Sequence, residues 1–281
     1  MNFNKTIQMY IFEGNPNGRI MCELSNWNGI VYKISRNELS KFSERKEANY
    51  TGIYFLFGIT EDNFETVYVG EAEKIFERLK QHISDREEYW SNCIVVTSKD
   101  NTLNKAHVKY LENVFYLMAK EAGKFDITNK NIPTKSSISE YDEAVLEEFI
   151  SNAKLLVNTL GYKAFDIVSD EDTKKTKLKY YIKAARGADA IGTAVDDGFV
   201  VFKGSKIASD VTASMSESLI KLRDKLLSKN IISTDNIFVS DYTFTSPSLA
   251  AAIIMGRNAN GRTEWKTKNK KTLAEVETEN L

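Results

Sequence analysis

Cysteine, histidine and surplus charge are all scarce in this chain, and each shortage removes a class of protein. The 281 residues include two cysteines and two histidines. Cys22 and Cys93 stand in apolar, strand-like surroundings without metal-ligand spacing, so reduced, buried thiols are expected rather than a disulfide or a zinc site. His107 has no second His, Cys or paired carboxylate in a ligand pattern and reads as an exposed helix residue. Lysine and arginine total 38 against 39 aspartates and glutamates, a formal net charge of -1. That balance excludes a global attraction to nucleic acid and leaves only a local basic patch to provide one. No apolar run is long enough to cross a bilayer and no N-terminal export pattern is seen, so no membrane partner is expected and the cytoplasm is the expected compartment. There is no internal repeat and no low-complexity segment. The glycines of "GRNANG" lack the preceding strand and the Lys-Ser/Thr pair of a phosphate-binding loop.

What is present belongs to a globular protein: 42% hydrophobic and 27% charged residues, in a length that suits roughly two domains of about 150 residues each. Residues 1–47 read as an antiparallel β extension, "IQMYIFEGNPNGRIMCELSNWNGIVYKI", with turn signals at Asn15-Pro16-Asn17-Gly18 and Asn28-Gly29. A short helix follows in "ISRNELSKF", with Ser35 and Glu38 at the spacing of a capping box. Residues 48–162 read as an α/β unit. Its strands "GIYFLFGI" and "TVYVG" form a hairpin around "TEDNFE", and Ile75, Leu79 and Ile83 mark an amphipathic helix behind it. "NCIVVTS" has the continuous apolar character of a strand buried on both faces. The helix in "LNKAHVKYLENVFYLMAKEAG" stops at Gly123, and a docking helix carries Leu146, Phe149, Ile150, Ala153 and Val157.

The linker is placed at 163–185, where "SDEDTKKTKLKYYIKAAR" turns from acid to base. A C-terminal α+β domain is placed at 186–268 and a frayed tail at 269–281. That domain opens with two strands around Asp196-Asp197-Gly198. Ser214 and Glu217 start a helix burying Leu219, Leu222 and Leu226, and a second helix runs from N-cap Ser246 through Pro247 to Gly256. An Asn-Gly turn in "NANGRTEWK" presents Trp265. The fold class is α/β in the α+β sense: a small mixed sheet flanked by helices, with an N-terminal β extension and a second, small α+β domain.

Chemistry concentrates in "TGIYFLFGITEDNFETVYVGEAEKIFERLKQH". Tyr54 and Tyr68 lie on paired strands and share a face if the register permits, while Arg78 and His82 stand four apart on the next helix. Glu112 lies at the edge of an apolar stripe rather than opposite it. Phosphodiester hydrolysis builds negative charge on oxygen, so it needs cations there and a group that takes a proton from water. A tyrosine is a poor base unless a cation lowers its pKa, and Arg78 or a metal is placed to do so. His82 orients phosphate or assists proton transfer.

These residues resemble the GIY-YIG nucleases. The likeness runs over residues 48 to 135, through "GIY" at 52–54, "YVG" at 68–70, Arg78, the glutamate of "YLENVF" and Asn129 of "ITNKN". It implies divalent-metal-dependent cleavage of DNA with Mg²⁺ or Mn²⁺. Tyr54 is then the base or water-positioning group, Tyr68 a partner of nucleophile or phosphate, and Arg78 the stabiliser of the transition state. Glu112 is the sole protein metal ligand and Asn129 a phosphate or structural contact. One carboxylate suffices because Mg²⁺ keeps waters and takes substrate oxygens. YVG departs from YIG by one methylene, and Glu71 stands where many relatives carry lysine, where it repels phosphate or binds metal. The alternative reading is a weak or inactive nucleic-acid-binding or regulatory protein on a nuclease scaffold. The segment 186–268 resembles an uncharacterised domain that often trails such nucleases. There Lys203, Lys206, Arg257, Arg262 and Lys266 around Trp265 compose either a phosphate-tracking, base-stacking surface or a solvated rim around a structural tryptophan. The substrate's form, DNA or RNA, and the oligomeric state stay open.

Overall fold

A computed structural model describes residues 4–61, 64–84, 90–166, 178–195 and 198–279. The chain divides into two compact units, Met1–Ile167 and Val168–Leu281, and it is a mixed α+β protein. Among the described residues no helix is long and apolar enough to cross a membrane.

The first unit is built on one seven-stranded sheet. Its strands are β1 (Ile7–Ile11), β2 (Arg19–Leu24), β3 (Gly29–Ser35), β4 (Gly52–Ile59), β5 (Glu65–Ala72), β6 (Asn92–Ser98) and β7 (Asp126–Ile127), in the order β1-β2-β3-β6-β4-β5-β7. All neighbours are antiparallel except β5 and the two-residue β7. The N-terminal strands are therefore no separate extension. β3 pairs with β6 from Gly29↔Ser98 to Ser35↔Asn92 and carries β1 and β2 into the same sheet.

Both faces of this sheet are covered, which explains the unbroken apolar runs of β4 and β6. Ile53, Phe55 and Phe57 face α3 (Lys105–Ala122) and α4 (Glu140–Thr159), joining Leu111, Phe115, Leu156 and Phe165 in one core. Tyr54 and Leu56 face the other way, toward α1 (Leu39–Phe42) and α2 (Ile75–Ser84), with Phe42, Ile75, Leu79 and Trp90. Cys22 and Cys93 are free and buried, and burial pushes the Cys22 thiol up to about 11. α3 begins at Asn104, whose side chain accepts from the amides of Ala106 and His107, and ends at Gly123 with φ +61°. His107 is not a free exposed residue: it completes the capping box and sits 3.4 Å from Asp142.

Two local expectations fail for geometric reasons. The buried stripe of α2 is Ile75, Leu79 and His82, whereas Ile83 is 42% exposed. Seven residues nearly complete two helical turns, and eight overshoot by about 80°. Ser35 makes no capping bond to the turn Arg36–Glu38; Glu38 instead pairs with Lys41 at 2.9 Å. The turn "TEDNFE" includes residues 62 and 63, which lie outside the described residues.

The second unit has a four-stranded antiparallel sheet, β8 (Tyr180–Lys183), β9 (Asp189–Val195), β10 (Gly198–Val201) and β11 (Tyr242–Phe244), ordered β11-β10-β9-β8. Its helices are α5 (Glu217–Ser228), α6 (Pro247–Met255), α7 (Gly261–Glu264) and α8 (Leu273–Glu279). α6 starts as its sequence predicts: Ser246 Oγ accepts from Leu249 N at 3.1 Å, and the helix stops at Gly256. Ala250 to Met255 are all buried, so this helix is the hub of the unit. A Cβ at Gly261 would lie 2.1 Å from the Pro247 backbone, so only glycine lets α7 approach the start of α6.

Three boundaries move. β8 pairs with β9 from Tyr180↔Gly192 to Lys183↔Asp189, so the last part of the expected linker is sheet. Residues 167–177 of that linker, and Asp196 and Asp197 of the expected turn, lie outside the described residues. The expected tail forms α8, whose Leu273 is buried. α5 begins after Ser216 rather than Ser214, and the stripe it buries includes Arg223 beside Leu226. Arg223 donates to the carbonyls of Ile253 and Ala208, which is how a guanidinium is satisfied there.

Candidate active site

The register of the hairpin decides whether the tyrosines meet. Tyr54 pairs with Gly70 and Leu56 with Tyr68, so both phenols lie on the α2 face, one diagonal step apart. Their rings stack with centroids 6.2 Å apart and planes 19° from parallel. A Cβ at Gly70 would lie 2.3 Å from the Tyr54 ring, so the glycine of "YVG" is what allows the phenol to lie across its partner strand. The glycine of "GIY" has a similar reason: a Cβ at Gly52 would meet the Val96 carbonyl at 2.5 Å.

α2 supplies the next two groups. His82 is 6% exposed; its Nε2 shares a 2.9 Å hydrogen bond with the Tyr54 hydroxyl, and its ring meets Tyr68 edge-on at 4.9 Å. Arg78 Nε donates to the same hydroxyl at 3.3 Å, and Arg78 donates at 2.8 Å to Gln81. Burial raises the Tyr54 pKa far above the usual tyrosine range, the neighbouring Tyr68 adds to the rise, and Arg78 opposes it without prevailing. Arg78 does lower this pKa, as expected, by its charge and its hydrogen bond, but desolvation outweighs it and the net shift is upward, so Tyr54 is a neutral phenol at neutral pH.

Glu112 reaches the site from the opposite face of the sheet. α3 packs against β5, and β7 covers only Thr66 and Val67, so the far half of β5 forms an edge around which α3 presents side chains. Glu112, Tyr68 and Arg78 line both of two adjoining clefts. One, of about 400 Å³, also takes in Tyr54, Glu71 and Lys105; the other, of about 410 Å³, takes in His82, Asn129 and Lys130. The Glu112 carboxylate makes no hydrogen bond or ion pair among the described residues, and its pKa is pushed up to about 7, chiefly by burial and then by Glu71, against Lys105, Arg78 and Lys109.

Asn129 serves the edge itself. Its Oδ1 accepts from Val69 N at 2.9 Å and its Nδ2 donates to Val69 O at 2.7 Å, extending by a side chain the ladder that β7 begins. Of the two roles the resemblance implies for it, the structural contact is the one these bonds make.

Lys105 was missed in the sequence. It stands seven residues before Glu112 on the same side of α3, and its Nζ holds both oxygens of Glu71 at 2.8 and 2.9 Å. Glu71 is therefore charge-compensated within the cleft. The spacing of seven was the legible signal.

The basic residues of the second unit do not converge. Trp265 is fully buried against Phe199, ring centroids 4.4 Å apart, and its Nε1 donates to Pro247 O at 3.0 Å. It is not a surface for stacking bases. Arg257 pairs with Glu264 at 2.7 Å and Arg262 with Glu277 at 2.9 Å. Lys203, Lys206 and Lys266 are exposed, and no described cleft unites them.

Comparison with known proteins informs the second unit alone. Residues 180–277 match the model of a domain of unknown function, DUF4357. The match starts at β8 and runs into α8, the same elements that the structure adds to the C-terminal unit. No curated protein and no solved structure matches the chain.

Proposed function

We propose that the first unit is a divalent-metal-dependent endonuclease of the GIY-YIG kind, hydrolysing DNA phosphodiester bonds in the cytoplasm. The observation that carries this reading is the Glu112 carboxylate, half-buried and without a hydrogen-bond partner among the described residues, in a cleft walled by Tyr68 and Arg78. A carboxylate left so is costly unless a cation completes it. Among the described residues no three His, Cys, Asp or Glu side chains group to hold a metal, so Glu112 would be the protein's ligand and the remaining oxygens would come from water and phosphate. Mg²⁺ or Mn²⁺ held there would supply positive charge to the phosphate oxygens.

The chain's own groups divide the remaining work. Arg78 faces the cleft with its guanidinium and stabilises charge that develops on phosphate. Tyr54, a phenol at rest, accepts from Arg78 and shares a hydrogen bond with His82 Nε2; with that nitrogen unprotonated, the phenol would serve by receiving a proton from water as it passes its own to the imidazole. Tyr68 lines both clefts and fixes the position of water or phosphate between them. Lys105 offsets Glu71, which removes the repulsion a lone acid would exert on DNA.

The test is incubation of the pure protein with duplex, nicked and branched DNA in Mg²⁺ or Mn²⁺, with chelator as control. Metal-dependent products are expected, and Glu112→Gln should lower the rate by about a hundredfold or more. Retained DNA binding with no product on any substrate would overturn the enzyme reading. It would favour the second, a binding protein on a nuclease scaffold, for which the buried, doubly bonded Tyr54 hydroxyl is the supporting observation.

A further inference from the structure

The seven-stranded sheet ends in β1, whose outer side has no neighbouring strand among the described residues. Exposed edges are ordinarily blunted by lysine, proline, a bulge or a covering element. Ile7–Ile11 reads "IQMYI": no charge, no proline, and an unbroken register against β2 from Ile7↔Leu24 to Ile11↔Ile20. Met9, Tyr10 and Ile11 are 45, 58 and 39% exposed. The nearest charges are engaged elsewhere. Lys5 Nζ donates to Asn152 Oδ1 on α4, and Glu13 is held by Arg19 at 2.9 Å.

The backbone shows which groups the edge offers. Ser25 N donates to Thr6 O at 3.1 Å, continuing the register of β1 and β2 outward by one pair. Bonded and non-bonded pairs alternate in an antiparallel ladder, so Thr6, Gln8 and Tyr10 turn their peptide groups to β2. Ile7, Met9 and Ile11 turn theirs outward. Side chains follow the same parity: Ile7, Met9 and Ile11 lie on the Cys22 face, the apolar face that α4 covers farther in.

We propose that β1 pairs with β1 of a second copy of this chain, antiparallel about a two-fold axis at Met9. The occupant is identified by self-complementarity. About that axis Met9 meets Met9, Ile7 meets Ile11 and Gln8 meets Tyr10. Every outward-facing residue therefore meets an outward-facing residue, and the three pairs close a ladder of hydrogen bonds. The apolar row becomes Ile-Met-Ile twice over on one face, with amide against phenol on the other. A one-residue slip would set outward peptide groups against inward ones, so parity excludes odd slips, and among the even ones only the centre at Met9 pairs all five residues of β1. The proposal stands apart from the nuclease reading, although a two-fold dimer would bring two cleaving units to one duplex.

Sedimentation of the full chain over a wide concentration range should show a monomer–dimer equilibrium, and Met9→Lys, which apposes like charges at the axis, should weaken it about tenfold or more. Val145→Lys, at an exposed position on α4, should leave it unchanged. Under oxidation Met9→Cys, made together with Cys22→Ser to remove the thiol opposite it on β2, should give a covalent dimer, since Cα atoms of a bonded antiparallel pair lie about 5.5 Å apart, within disulfide reach. Gln8→Cys, displaced diagonally from its own copy, should not. A monomer at every concentration would overturn the proposal and leave the edge to a strand of another protein. A dimer indifferent to Met9→Lys, or assembly beyond dimers, would overturn it equally.

Discussion

The two units began with comparable sets of polar and aromatic residues and put them to opposite uses. In the first, Tyr54, Tyr68, Arg78, His82 and Glu112 arrive from both faces of one sheet and meet at the edge of β5. In the second, Trp265 becomes core, and Arg257 and Arg262 are taken up by Glu264 and Glu277. Residue type does not separate the two cases; partnering does. Among the described residues the Glu112 carboxylate has no hydrogen-bond or ion-pair partner, whereas the two arginines are held by carboxylates, and a group already satisfied has little left for a ligand.

The sharpest way to break this contrast is at Trp265. As a buried side chain it should cost the second unit about 3–5 kcal/mol on replacement by alanine, read as a lowered unfolding midpoint, with DNA affinity altered only as that unit unfolds. Weakened DNA binding at an unchanged midpoint would return Trp265 to the surface and cancel the contrast. A smaller effect is expected at Gly70→Ala. The new methyl must displace the Tyr54 ring, at a cost of about 1–3 kcal/mol in a denaturant titration and with a fall in cleavage at intact folding.

The smallest effect sharpens the comparison through pH. A carboxyl whose pKa is raised by the fold binds its proton more tightly in the native than in the unfolded chain, so the ionised form opposes folding. Glu112→Gln should thus gain stability above pH about 7, by about 1 kcal/mol once solvent screening of a partly exposed group is allowed for. The gain should shrink as pH falls and vanish below the ordinary carboxylate value near ~4.3. Added Mn²⁺ should stabilise the wild type and not the variant, reversing their order. A variant less stable at pH 8 without metal would show that Glu112 is a satisfied structural residue.

Most of the fold was legible because its signals are local. The β runs of the first unit, the stripes of α3 and α4, and the cap and stop of α6 each follow from a few adjacent residues. The separation of "GIY" from "YVG" was legible as a hairpin, yet the pairing Tyr54↔Gly70 that stacks the phenols depends on register, which no single strand encodes. His82 was placed in the site but not in the buried stripe, where a histidine replaced the expected isoleucine. Which of the two readings of Trp265 holds, what Lys105 pairs with and the sheet membership of β1–β3 could not be read for one common reason: each depends on a contact distant in sequence, Trp265 with Phe199, Lys105 with Glu71, β3 with β6. The boundary of the second unit failed similarly, because "YYIK" is a strand only by virtue of β9.

Asn129 lends its side-chain amide to both peptide groups of Val69 on the margin of β5. That margin is thereby stoppered by a residue too short to recruit another strand, while the opposite margin stays available. If β1 joins its own copy, the far end offers a further strand only the two residues of β7 and the margin of β5 that Asn129 occupies, so the association would close at two rather than run on as a fibre.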